Sequence, residues 1–125
     1  MKRDMDLIRA ILLAIEAHPL PEIDGYLEID DYEDSVVHHH LHLLKEAGYI
    51  NAYSAVDANA DSGFLVQDAS LTWGGHELLD SIRDPEIWKK AKSGAAQAGS
   101  FSLSLIGEVA RGFIKMKAQE IGLPI

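Results

Sequence analysis

Cysteine is missing from all 125 residues. Its absence removes disulfide staples, thiolate metal centres and cysteine nucleophiles. A cysteine-free chain fits a reducing compartment, and a cytoplasmic location is expected. Basic residues are scarce in the first two-thirds: residues 1–80 hold four Lys and Arg against sixteen Asp and Glu, a net −12. Residues 81–125 reverse the sign, with seven Lys and Arg against four acids, a net +3. Lys and Arg facing phosphates supply most non-specific nucleic-acid affinity, so the acidic part disfavours DNA and suits a basic or apolar protein partner. No apolar run approaches the ~20 residues that span a bilayer, so no membrane contact is expected. The start, Met1-Lys2-Arg3, turns acidic at Asp4 and Asp6 and does not read as a secretory signal. No glycine-rich phosphate loop follows a candidate strand and no nucleophile–base spacing stands out. The expectation is a protein that is not an enzyme and holds no cofactor.

What the chain does contain is clear periodicity. Ile8, Ile11, Leu12 and Ile15, extended by Met5, recur on one face of a helix over about Asp4–His18, which Asp4 caps and Pro19 follows. Pro19, Pro21 and Gly25 then interrupt helix, and Tyr26–Ile29 reads as a short strand. A second helix, about Glu33–Ala47, carries Val37, Leu41 and Leu44 in one row and Val36, His40, Leu43 and Ala47 in the next. Gly48 ends it. Tyr49–Val56 and Phe64–Leu71 read as strands around the polar turn Asp57–Gly63, which holds no basic residue. Thr72 caps a helix of about ten residues, and Asp84-Pro85 opens another. Ser93–Ser100 has the composition of a linker, and a last helix spans about Ser102–Ile121.

Helix, β-hairpin and helix in that order form the centre of a winged-helix module. The expected fold is α+β: a winged-helix-like domain over residues 1–92, made of helix, short strand, helix, hairpin wing and helices. A flexible linker over 93–101 and an added C-terminal helix over 102–125 complete it. Met1-Lys2-Arg3-Asp4-Met5-Asp6-Leu7-Ile8-Arg9, the run His40–Ile50 and the run Leu71–Asp80 with Ile82-Arg83-Asp84 together resemble DUF2513, an uncharacterised family of bacterial and prophage-associated genomes. The resemblance implies a winged-helix-like fold and carries no established activity. By analogy of fold alone it suggests a bacterial regulator. A helix-turn-helix needs a supporting helix before the recognition helix. The proline-bearing stretch between Pro19 and Asp34 leaves little room for one.

Asp34, His38 and His42 stand four apart on the second helix, a spacing that admits zinc but lacks a firm third ligand. A solvated face is the plainer account, and a face that charges in mild acid is a third. His40 falls on the buried side and reads as a hydrogen-bonded core histidine. Trp73 reads as a core residue between hairpin and helix. Tyr26, Tyr49 and Tyr53 offer an exposed aromatic face or ordinary strand packing, the second being preferred. DNA contact, if any, falls to His38, His39, His42 and Lys45 for bases and to Lys89, Lys90 and Lys92 for phosphates. Arg111, Lys115 and Lys117 form a second basic group. Ile106, Val109, Phe113 and Met116 form an apolar stripe from which a homodimer is expected. The leading function is a regulatory or adaptor module acting by protein contact; the alternative is a DNA-binding transcriptional regulator.

Overall fold

The computed structural model describes residues 1–60 and 63–125. Asp61 and Ser62, at the tip of the expected wing, lie outside the described residues. The described elements are α1 (Met5–Ala17), α2 (Asp34–Glu46), β1 (Ile50–Val56), β2 (Phe64–Leu71), α3 (Trp73–Ile82), α4 (Pro85–Gln97) and α5 (Leu103–Glu120). The fold is α+β, with five helices and one two-stranded antiparallel sheet among the described residues. The chain divides into two compact units, Met1–Glu77 and Leu78–Ile125.

In the first unit, α1 begins where the Asp4 side chain accepts from the Leu7 N–H at 3.0 Å, a standard N-cap. Its face of Leu7, Ile8, Ile11, Leu12 and Ile15 is buried. No helix lies between α1 and α2. The expected strand over Tyr26–Ile29 does not form. Chain pairing occurs earlier, in a bridge between Glu22 and Ser70 and a bond from the Ile23 N–H to the Ala69 carbonyl at 2.8 Å. The reason lies in β2. Between the pairs Asn51↔Ser70 and Tyr53↔Gln67, β1 has one residue and β2 has two, a β-bulge. Asp68, at φ 57, occupies the left-handed position of that bulge. Its N–H donates to the Gly25 carbonyl at 2.9 Å, and its carboxylate accepts from the Gly25 N–H at 2.7 Å. Gly25 is thereby tied off at the edge of β2, and the chain beyond it leaves the sheet.

Helix α2 buries Val37, Leu41 and Leu44 against α1 and both strands. It ends in a Schellman motif: Gly48 at φ +82, the Tyr49 N–H on the Leu44 carbonyl and the Gly48 N–H on the Lys45 carbonyl. The stop releases the chain into β1, which packs against α2.

In the second unit, Asp84 caps α4 through the N–H groups of Glu86 and Ile87, with Pro85 at the first helical position. Helix α4 continues to Gln97, so residues 93–97 are helical and the expected linker over 93–101 shrinks to a tight turn. The small residues there permit close helix approach. Ala91 and Ala95 are fully buried, and a Cβ on Gly94 would meet the Val109 side chain at 3.3 Å. Helix α5, capped by Ser102, runs antiparallel to α4 and buries Leu103, Ile106 and Ala110. The expected division at residues 92, 93–101 and 102 therefore does not match the compact units.

Candidate functional site

The hairpin of the first unit is held from three sides, and what is held fixes what is left exposed. From beneath, His38 of α2 is only 7% exposed, and its Nδ1 accepts the Val66 N–H of β2 at 3.0 Å. Burial lowers its pKa, with the Asp34 charge opposing in part. His38 is thus a neutral acceptor and not part of a solvated face. Local spacing could not reveal this, because its partner strand arrives 28 residues later. Tyr26 stands edge-on to the same ring, at 5.5 Å between centroids.

His40 is fully buried, as the sequence implied. Its Nε2 accepts from the Asp4 N–H at 2.8 Å and its Nδ1 lies 2.8 Å from the Val36 carbonyl, which places the proton on Nδ1. The N-cap of α1 is therefore locked to α2. The Tyr32 hydroxyl bonds the Asp4 side chain, and its pKa is raised by burial first and by Asp4, Asp6 and Asp31 after.

At the base of the hairpin, the Thr72 hydroxyl donates to the Gly48 carbonyl at 2.6 Å and accepts from the Gly75 N–H at 3.0 Å. The Thr72 N–H bonds the Tyr49 carbonyl at 3.1 Å. Gly75 faces inward so closely that a Cβ would lie 2.0 Å from the Tyr49 oxygen. Trp73 sits roughly 200° away around α3 and so points outward. It is 80% exposed, which corrects the expectation of a core tryptophan.

The outer face of the hairpin is also uncovered. Tyr53 is 65% exposed opposite Gln67. Val56, on the opposite face at the far end of β1, is 84% exposed as well. Tyr26 is exposed and Tyr49 half-buried, so ordinary strand packing does not describe Tyr26 or Tyr53. The alternation of Asn51, Tyr53 and Ala55 against Ile50, Ala52 and Ser54 was the available signal for this face.

The other candidate residues are dispersed among local roles. His39 is half-buried, with its pKa lowered by burial first, then by His40, the N-terminal ammonium and His42. His42 pairs with Glu46 at 2.9 Å, and Lys45 is exposed. Asp34, His38 and His42 do not assemble: among the described residues no group of three His, Cys, Asp or Glu is placed to hold a metal ion. Lys89 and Lys90 are exposed, while Lys92 lies over the Trp88 ring at 5.3 Å. Ile106 is fully buried and Val109 lies against Gly94, so half of the expected dimer stripe is used inside the second unit. Phe113 is half-buried, and Met116 is 56% exposed. A cleft of about 450 Å³ in the first unit is lined by His18, His76, Leu20 and Leu71 among others. No described helix is long and apolar enough to cross a membrane.

The family model described as "Hypothetical protein (DUF2513)" matches residues 2–102. An "Uncharacterized protein" of Haemophilus influenzae is 38% identical over 108 residues, covering 84% of this chain and 86% of that one. No solved structure matches.

Proposed function

The chain belongs to the DUF2513 family, and from that premise we propose a non-enzymatic, winged-helix-like cytoplasmic module that regulates or adapts by protein contact. Its working surface is the exposed part of β1, with Tyr53 on the outer face and Val56 at the strand's end. The single observation that carries this is the state of α2, the helix immediately before the hairpin, which the winged-helix reading takes as the recognition helix. Such a helix offers side chains to base edges. Here His38 and His40 are engaged inside the unit by Val66, Asp4 and Val36. Lys45 is the one Lys or Arg on α2. Charge supports the same conclusion: residues 1–77 hold four Lys and Arg against fifteen acids, a net −11. That field repels a phosphate backbone and attracts a basic protein surface.

The order helix, hairpin, helix favours the second reading, a DNA-binding regulator, with Lys89 and Lys90 on phosphates. Fluorescence anisotropy of a labelled random duplex, at low and near-physiological salt, separates the two. The protein-contact reading predicts no binding at either salt. Micromolar binding that weakens steeply with salt would replace it with the regulator.

A further inference from the structure

Strand β1 has one paired edge and one open edge. On its paired side, the Thr72 N–H bonds the Tyr49 carbonyl and the Asp57 N–H bonds the Gly63 carbonyl. In an antiparallel ladder, hydrogen-bonded residues alternate with residues whose N–H and C=O point the other way. Both ends set the same phase: Tyr49, Asn51, Tyr53, Ala55 and Asp57 face β2. The backbone groups of Ala52, Ser54 and Val56 therefore point away from it. The same alternation holds on β2, where Val66 and Asp68 point outward and donate to His38 and Gly25. No such acceptor meets the outward groups of β1 among the described residues.

Exposed edges in folded proteins are commonly blocked by lysine, proline or a bulge on the edge strand. Ile50–Val56 contains no charged residue and no proline, and the bulge lies on β2 instead. The second edge of β2 is already occupied by the chain at Glu22–Gly25. One edge of this small sheet is thus closed and the other is open, with Tyr53 and Val56 exposed beside it.

We propose that the open edge of β1 receives an extended, basic segment of a partner protein as an added antiparallel strand. This rests on the protein-contact reading and gives its mode. Backbone bonds to Ala52, Ser54 and Val56 supply register, and side chains alternating along the partner meet Tyr53 and its neighbours. Charge selects the occupant. A second copy would bring a second unit of net −11 against the first, whereas lysine or arginine on an incoming strand complements Asp57 and the acidic surface.

The probe is a short synthetic peptide alternating lysine with valine, set against one alternating glutamate with valine, with the intact chain labelled with nitrogen-15. The lysine peptide should slow hydrogen exchange at the Ala52, Ser54 and Val56 amides and leave Asn51, Tyr53 and Ala55 unchanged. The glutamate peptide should bind at least tenfold more weakly. Ser54→Pro removes an outward N–H and no bond of this chain's own ladder, so it should fold and lose the peptide. Val56→Pro, at an exposed position, serves the same purpose if Ser54→Pro does not fold. Binding of the lysine peptide to either folded proline variant as tightly as to the wild type would overturn the edge mode while leaving protein contact standing. No binding to the wild type would overturn the choice of a basic strand. Protection of the three amides by rising protein concentration alone would identify a second copy and overturn the occupant.

Discussion

Replacing Gly75 by alanine should unseat α3 from the base of the hairpin. A Cβ at Gly75 would stand 2.0 Å from the Tyr49 carbonyl oxygen and 3.1 Å from its carbon. Both are backbone atoms, so no side chain can rotate away. Non-bonded heavy atoms settle near ~3.5 Å, so the start of α3 must retreat by roughly 1 Å or more. That retreat stretches the Thr72 hydroxyl bond to Gly48, now 2.6 Å, and the Thr72 N–H bond to Tyr49, now 3.1 Å, beyond useful length. Two bonds at about 1 kcal/mol each, plus the strain of overpacking, give a loss of about 2–4 kcal/mol. Gly74 is the matched control. A Cβ there meets only the Thr72 hydroxyl at 3.7 Å, and alanine in a helix gains up to about 1 kcal/mol over glycine. Urea unfolding of G74A and G75A, followed by circular dichroism, should therefore move the two midpoints in opposite directions. Equal midpoints, or a stable G75A, would refute the close approach of α3 to Tyr49.

Three further outcomes follow from the same geometry. H38F leaves the Val66 N–H without its acceptor and should cost about 1–3 kcal/mol at neutral pH. Because burial holds the folded His38 pKa below its unfolded value of 6.5, the unfolded chain takes up the proton first. Stability should be complete above about pH 6.5 and fall as the solution is acidified below it, with a shallower fall in H38F; a rise on acidification would sink this. D68A loses the Gly25 bond and places a Cβ residue without a local carboxylate at φ 57, for about 2–4 kcal/mol, and D68G should cost less because only the bond is lost. A95L overfills the α4–α5 contact and should cost about 1–3 kcal/mol by thermal unfolding, while A98L, at an exposed position, should be neutral; a neutral A95L would restore the flexible linker.

Much of the fold was legible because its elements are locally coded. The periodic faces of α1 and α2, the Gly48 stop and the alternation of β1 and β2 place those elements within a residue of where they stand. The errors share a cause: each depended on a partner distant in sequence. His38 shares helical spacing with Asp34 and His42, but β2 covers it from below. Trp73 is turned outward by the inward demand of Gly75, which arises at Tyr49. Tyr26–Ile29 alternates like a strand, yet the bulge at Asp68 decides where pairing occurs and moves it to Glu22–Gly25. Ser93–Ala98 has the small residues of a flexible segment, and the same residues suit two helices in close contact. The open edge of β1 became visible only when the ladder phase was known, since the strand's own sequence does not say which carbonyls are paired.

Photo-cross-linking inside bacterial cells, with a benzophenone amino acid at Tyr53 or at Lys45 and mass spectrometry of the adducts, separates protein contact from DNA contact. Discrete protein adducts are expected at Tyr53, on the uncovered hairpin, and none at Lys45 on α2. Adducts to nucleic acid, or cross-links at Lys45 with none at Tyr53, would contradict it.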